Sequence, residues 1–255
     1  MGEHIRVSGE GPVRTLTIDR PARRNALAAS TADELAAEVR RAESDRNVGA
    51  LVLTGAGGHF CAGGDADSAL AAIADESDDA PERLMRAYHR AVEAIWTSPL
   101  PVIAAVSGFA YGAGFNLMLA CDLVVCSADS RFCQVFLRRG VVPDFGGAYL
   151  LPRLVGMQRA KELILLAPEI DAEHAHRLGL VNEIVAEGAD LPGRARELGE
   201  ALAAGSRFTV AQTKKLLNAS TAGTLPASLE LEAITQAAVL RSSSAKRGFE
   251  AFLGR

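Results

Sequence analysis

Pro101-Val102-Ile103-Ala104-Ala105-Val106 runs directly into Ser107-Gly108-Phe109-Ala110-Tyr111-Gly112-Ala113-Gly114. The apolar run Val102–Val106, closed by Ser-Gly, reads as a buried strand. The segment after it is rich in glycine and alanine and opens a helix over Phe115–Cys121. Small residues let a backbone approach a ligand closely. The first N–H groups of a helix also lack intrahelical partners, and the helix dipole favours negative charge there. A second turn of the same kind, His59-Phe60-Cys61-Ala62-Gly63-Gly64-Asp65, follows the apolar strand Val48–Thr54. Two such donors converging on one oxygen would form an oxyanion hole. Taken singly, each turn is more readily explained as a tight connection. Gly112-Ala113-Gly114 is not GxGxxG, and no Lys-Ser/Thr follows to make a phosphate loop.

Outward from these turns, Val13–Ile18 alternates as a strand does, and Leu123–Cys126 and Val181–Val185 are further strand candidates. Thr31-Ala32-Asp33-Glu34 reads as a capping box opening a helix through about Ala42. Strand, glycine turn and helix recur, which argues an α/β fold. Asp65–Glu82 carries seven acidic residues; a solvated, mobile loop and a lid over a pocket account for it equally. A helix is expected over Arg83–Trp96. From Leu191 the pattern is helical, over Leu191–Ala204, Thr209–Ala219, Ala227–Arg241 and Ala245–Phe252, as in a covering or oligomerising appendage.

Composition sets outer bounds. A chain of 255 residues, 49% hydrophobic and 23% charged, suits one large domain or a domain with an appendage. Apolar runs such as Val102–Val106 and Leu163–Ala167 are far short of a membrane span. The N-terminus leads straight into strand-like sequence without a secretory signal, so the cytoplasm is the expected location. The net charge of −4 argues against a nucleic-acid surface but leaves room for a polyanionic small molecule met by a local basic cluster. Cys61, Cys121, Cys126 and Cys133 lack disulfide or CxxC spacing and read as buried thiols, in preference to metal ligation by the last three. His174 and His176, two apart, point differently on a helix. No metal is expected.

Several segments in order resemble the crotonase (enoyl-CoA hydratase/isomerase) family. They are Arg20-Pro21-Ala22-Arg23-Arg24-Asn25-Ala26-Leu27; Leu51–Gly55 with Phe60–Asp65; Pro101–Gly108 with Gly112–Gly114 and Cys121-Asp122; Pro152–Gly156; and Ala172–Val185. The resemblance implies an α/β spiral of repeated ββα units over residues 1–190 and a helical trimerisation region over 191–255. It also implies an acyl-CoA thioester substrate, no separate cofactor because CoA is part of that substrate, and a homotrimer or a hexamer built as a dimer of trimers. The N–H groups of Gly64 and Ala113 fall at the oxyanion donors, with Ala62 and Gly112 beside the substrate. Arg23 or Arg24 falls where CoA phosphates are met, with a plain solvated arginine an equal alternative. Lys246 and Phe249 are weak candidates for contacts to CoA from a neighbouring subunit.

The chain departs from that pattern where hydratases carry two glutamates. Asn116 and Phe136 stand there, and neither can be a general acid or base near neutral pH. Both are counted instead among the substrate contacts. Asp144, in Val141-Val142-Pro143-Asp144-Phe145-Gly146-Gly147, looks like the catalytic carboxylate of the family's isomerase branch, typified by epoxyphenylacetyl-CoA isomerases. Without the resemblance it would read as a turn residue or helix cap. Double-bond isomerisation by one proton-shuttling aspartate is therefore expected, with Phe136, Val142 and Phe145 raising its pKa by desolvation. The rivals are hydration by Asp144 with a water held by Asn116, attack of Asp144 on an aryl-CoA (disfavoured by 5% aromatic residues), and acyl-CoA binding without catalysis.

Overall fold

The computed structural model describes residues 4–186 and 188–254. A six-stranded sheet takes β1 (Ile5–Ser8), β2 (Val13–Ile18), β3 (Ala50–Gly55), β4 (Val102–Val106), β6 (Leu123–Ser127) and β9 (Glu183–Val185) in that spatial order. Only the β1–β2 pair in it is antiparallel. A smaller sheet pairs β5 (Phe109–Tyr111), β7 (Arg131–Cys133) and β8 (Ile170–Asp171). The helices are α1 (Ala29–Ser44), α2 (Ala66–Ala74), α3 (Ala80–Thr97), α4 (Ala113–Leu119), α5 (Gly147–Lys161), α6 (Ala172–Arg177), α7 (Leu191–Ala203), α8 (Arg207–Ser220), α9 (Leu225–Leu240) and α10 (Ser243–Phe252).

The unbroken apolar run of β4 has a direct cause: both faces of the strand are buried. Val102, Ala104 and Val106 join the larger core with residues of α1, α3 and α4. Ile103 and Ala105 face the other way, onto a second core closed by Leu191 and Ala195 of α7. The fit under α7 is close, since a Cβ on Gly199 would lie 3.0 Å from Val13 Cγ2. The helical run from residue 191 thus begins as a covering layer of the sheet.

Two isolated parallel bridges, Leu27 to Gly64 and Cys61 to Ala110, lead into β5 and β7 as a second ladder. Each pass of the chain lays a strand in the large sheet, then a short extended piece in this ladder, then a helix. The passes run β2, Leu27, α1; then β3, residues 61–64, α2; then β4, β5, α4. This is the strand–strand–helix recurrence expected from the resemblance, and it brings both glycine turns to one end of the second ladder.

Two local expectations are corrected. The capping box does not form: α1 starts at Ala29 behind Ala28, so Thr31 is already inside its first turn. The pairing of Leu27 with Gly64 fixes where the helix begins. Glu34 turns elsewhere, accepting the N–H groups of His4 (3.1 Å) and Ile5 (3.0 Å) at the start of β1. Asp65–Glu82 is not one long loop but α2, a short connection over 75–79 and the first turn of α3. Asp65 caps α2 through the Ser68 N–H (3.0 Å), and Asp67, Asp75, Asp79 and Glu82 pair with Arg23, Arg83 and Arg86. No residue of α2 is buried, so it shows no apolar stripe to read.

Among the described residues no helix is long and apolar enough to cross a membrane. The four cysteines are unbridged, three of them buried and Cys121 half-buried. Lys214 of α8 ties the helical run to the sheet, donating to Ile95 C=O (3.0 Å), Leu100 C=O (3.1 Å) and Asp122 Oδ2 (2.7 Å). The same carboxylate oxygen accepts the Val102 N–H at 2.7 Å. Asp122→Ala leaves a buried ammonium without its counter-charge and is expected to destabilise the fold by about 3 kcal/mol in urea denaturation.

Candidate active site

Gly64 owes its free N–H to its neighbours. Leu27 N–H donates to Gly63 C=O (2.8 Å) and Asp65 N–H donates to Leu27 C=O (2.9 Å), so the ladder bonds flank Gly64 and skip it. A buried ion pair from Arg20 to Asp65 (2.8 Å) fixes the following residue. Ala113 is the first residue of α4, and Gly112 before it has φ 50 and ψ −116, a backbone open to glycine. Gly112 N–H donates to Cys133 C=O (2.8 Å) and Asn116 N–H to Gly112 C=O (3.0 Å). Neither Gly64 N–H nor Ala113 N–H has a protein acceptor among the described residues. The two turns adjoin: a Cβ on Gly63 (φ 112) would lie 3.7 Å from the Ala113 nitrogen, and one on Gly114 2.3 Å from Cys61 C=O. Ala62 is tied back by its N–H to Arg24 C=O (2.9 Å).

Asp144 comes from a different part of the chain, on a turn with two left-handed residues, Phe145 (φ 47) and Gly146 (φ 73). For Phe145 that backbone costs roughly 1–3 kcal/mol, offset by a fully buried ring. Asp144 C=O accepts from Gly147 N–H (2.9 Å) and from Asn116 Nδ2 (2.8 Å). Asn116 Oδ1 in turn accepts from Gln134 Nε2 (2.8 Å), and both amides are buried. The Asp144 carboxyl has a buried Oδ1 with no protein partner. Burial without a counter-cation pushes its pKa up to about 7. Burial pushes the Cys61 thiol up to about 12, with the Asp144 charge contributing. The Tyr88 phenol is raised for the same two reasons.

Phe136 is buried, with its ring tip 3.6 Å from where a Gly112 Cβ would be, so it forms a wall next to the oxyanion turn. Asn116 is placed behind the Asp144 turn, holding its backbone, with no exposed surface to offer a ligand. Arg23 is exposed and paired with Asp67 (2.6 Å). Arg24 is exposed with its guanidinium carbon 5.7 Å from the Phe109 ring centre. On α10, Lys246 pairs with Glu250 (3.7 Å) and Phe249 is exposed. Gln134 and Tyr88 were not singled out from the sequence, and only their long-range partners reveal them. Among the described residues no three His, Cys, Asp or Glu side chains gather as a metal site.

This arrangement offers two backbone donors that can polarise a carbonyl and a weakly acidic carboxyl. Residues 9–255 match the sequence profile described as Enoyl-CoA hydratase/isomerase. A Rhodobacter capsulatus protein named "Probable enoyl-CoA hydratase" is 41% identical over 93% of this chain and 90% of its own. The 1,2-epoxyphenylacetyl-CoA isomerase of Escherichia coli is 35% identical over 100% and 97%. The crystal structure of an enoyl-CoA hydratase from Polaromonas sp. JS666 superposes with a TM-score of 0.94 at 34% identity, covering 99% of this chain and 97% of that one.

The raised Asp144 pKa carries a stability signature with a definite sign. A carboxyl titrating near 7 in the fold and near 4 when unfolded costs stability progressively as pH rises between those values. Asp144→Asn removes that cost. Its melting temperature is expected to exceed that of the unsubstituted protein at pH 8, with the difference vanishing near pH 4.

Proposed function

The chain belongs to the enoyl-CoA hydratase/isomerase family, and we propose that its reaction is double-bond isomerisation of an enoyl-CoA by a single proton-shuttling aspartate. The observation that carries this reading is the buried Oδ1 of Asp144 without a protein partner, in a chain that also holds two backbone donors without protein acceptors among the described residues and has Asn116 and Phe136 at the two glutamate positions. The substrate's thioester oxygen accepts from Gly64 N–H and Ala113 N–H. Asp144 takes a proton from C2 of a 3-enoyl-CoA, and the electrons of that bond delocalise into the thioester as a dienolate. Asp144 then delivers the proton to C4, the double bond settles between C2 and C3, and the carboxylate is regenerated. Each oxyanion donor contributes roughly 2.7–4 kcal/mol to such a step. A carboxyl titrating near neutrality serves both removal and return.

Hydration is the second reading, favoured by the hydratase names among the relatives. It asks for an activated water as well as a proton at C2. The water anchor this would require, Asn116, has its oxygen taken by Gln134 and an N–H given to Asp144 C=O. Phe136 offers nothing in its place. We further propose a homotrimer or a hexamer built as a dimer of trimers, supported by the exposed apolar side chains Leu225, Leu229, Ile234, Leu240 and Phe252 on α9 and α10.

A paired assay tests the reaction. The protein and Asp144→Asn each receive a 3-enoyl-CoA and a 2-enoyl-CoA, with products separated by mass. Interconversion without water addition, lost in Asp144→Asn by at least about a hundredfold, is the expected result; 3-hydroxyacyl-CoA would establish hydration instead, and binding without turnover would remove the catalytic reading altogether. Because the base must be ionised, kcat/KM is expected to rise with pH through about 7 and level off above it.

A further inference from the structure

We infer that Tyr88 is a positioning residue that sets the separation between the oxyanion donor at Gly64 and the carboxylate at Asp144. These two groups come from turns some 80 residues apart, about the length of a small domain, and no backbone pairing joins those turns among the described residues. Tyr88 touches both. It lies on the buried stripe of α3 between Ala87 and Ala91, small residues that let the helix approach closely while one large ring projects inward. Its hydroxyl donates to Leu27 C=O (3.0 Å), the carbonyl that also accepts Asp65 N–H. The phenol oxygen would be 3.5 Å from a Cβ on Gly64, so it borders the space a side chain on the donor residue would take. At the other side, its ring lies 4.7 Å from that of Phe145, tilted 35°, and Phe145 is the left-handed residue that aims Asp144.

The side chain therefore acts as a strut with one end on each half of the site. Its hydroxyl is committed to Leu27 C=O and its ring to Phe145, which is why its role is positioning. The hydroxyl and the ring are separable. Phenylalanine keeps the ring contact and leaves Leu27 C=O with its Asp65 partner, so the fold survives while the Gly64 segment loses a restraint. A misplacement of about 1 Å at a reacting centre can cost about a hundredfold in rate, and smaller ones correspondingly less.

One readout rests on the isomerase reading and one does not. The protein, Tyr88→Phe and Tyr88→Leu are given 3-hexenoyl-CoA in deuterium oxide. The measurements are kcat, KM and deuterium incorporated into the 2-enoyl product. The infrared carbonyl band of bound 3-hexenoyl-CoA is measured separately with a carbon-13 thioester. For Tyr88→Phe we expect kcat to fall about tenfold with KM within about twofold, deuterium incorporation to rise because the proton is returned less directly, and the carbonyl band to move back toward that of free thioester. A melting temperature near that of the unsubstituted protein with these changes separates positioning from packing, and Tyr88→Leu is expected to show them more strongly. Unchanged kcat, incorporation and band in Tyr88→Phe would overturn the inference. Failure of the unsubstituted protein to isomerise counts against the proposed reaction, and the carbonyl band then decides on Tyr88 alone.

Discussion

Leu27 makes two hydrogen bonds to the residues on either side of Gly64 across a single parallel bridge, and the reactive geometry rests on them. The bonds use Gly63 C=O and Asp65 N–H, which leaves the N–H between them without a ladder partner. A parallel bridge recruits the residues on either side of the bridged one, so this vacancy is a property of β pairing itself. The same bridge sets the entry of α1, seats Asp65 for its ion pair with Arg20, and offers Tyr88 the carbonyl it holds. A carbonyl polariser is thus produced by backbone pairing before any side chain is called upon.

Asp144 works by the opposite rule. Its backbone carbonyl is held by Gly147 and Asn116, with Gln134 bracing the amide from behind, while its carboxyl Oδ1 is left unpaired. Over-determining the main chain and starving the side chain is an economical way to obtain a carboxyl that titrates near neutrality without becoming mobile. The neighbouring acidic groups, Cys61 and Tyr88, are pushed upward by burial and by Asp144, so they remain protonated and bring no second negative charge beside it.

Legibility from sequence followed locality. Val102–Val106 was readable to the residue because burial on both faces makes the whole run apolar. The two glycine turns and Asp144 were readable as short motifs. The start of α1 was not, because a bridge to residue 64 overrides the Thr31–Glu34 signal. Helix α2 was not, because nothing in it is buried and its charges spend themselves on arginines. Asn116 was legible as a departure from the family pattern but not as a brace, since both its partners lie at least 18 residues away. Tyr88 was invisible for the same reason: its hydroxyl partner is 61 residues distant.

The layer formed by α7 governs the order in which the nascent chain can be completed. Val13, Ala50, Val52, Ile103 and Ala105 present one apolar face, and its cover arrives only with Leu191 and Ala195. At synthesis rates of about 5–20 residues per second, the wait from the last of these strand residues, Ala105, to Leu191 is on the order of four to seventeen seconds. For that interval a half-covered parallel sheet emerges with an oily side open to the cell. How long that face stays open during synthesis is therefore set by the position of one late helix rather than by the stability of the finished fold.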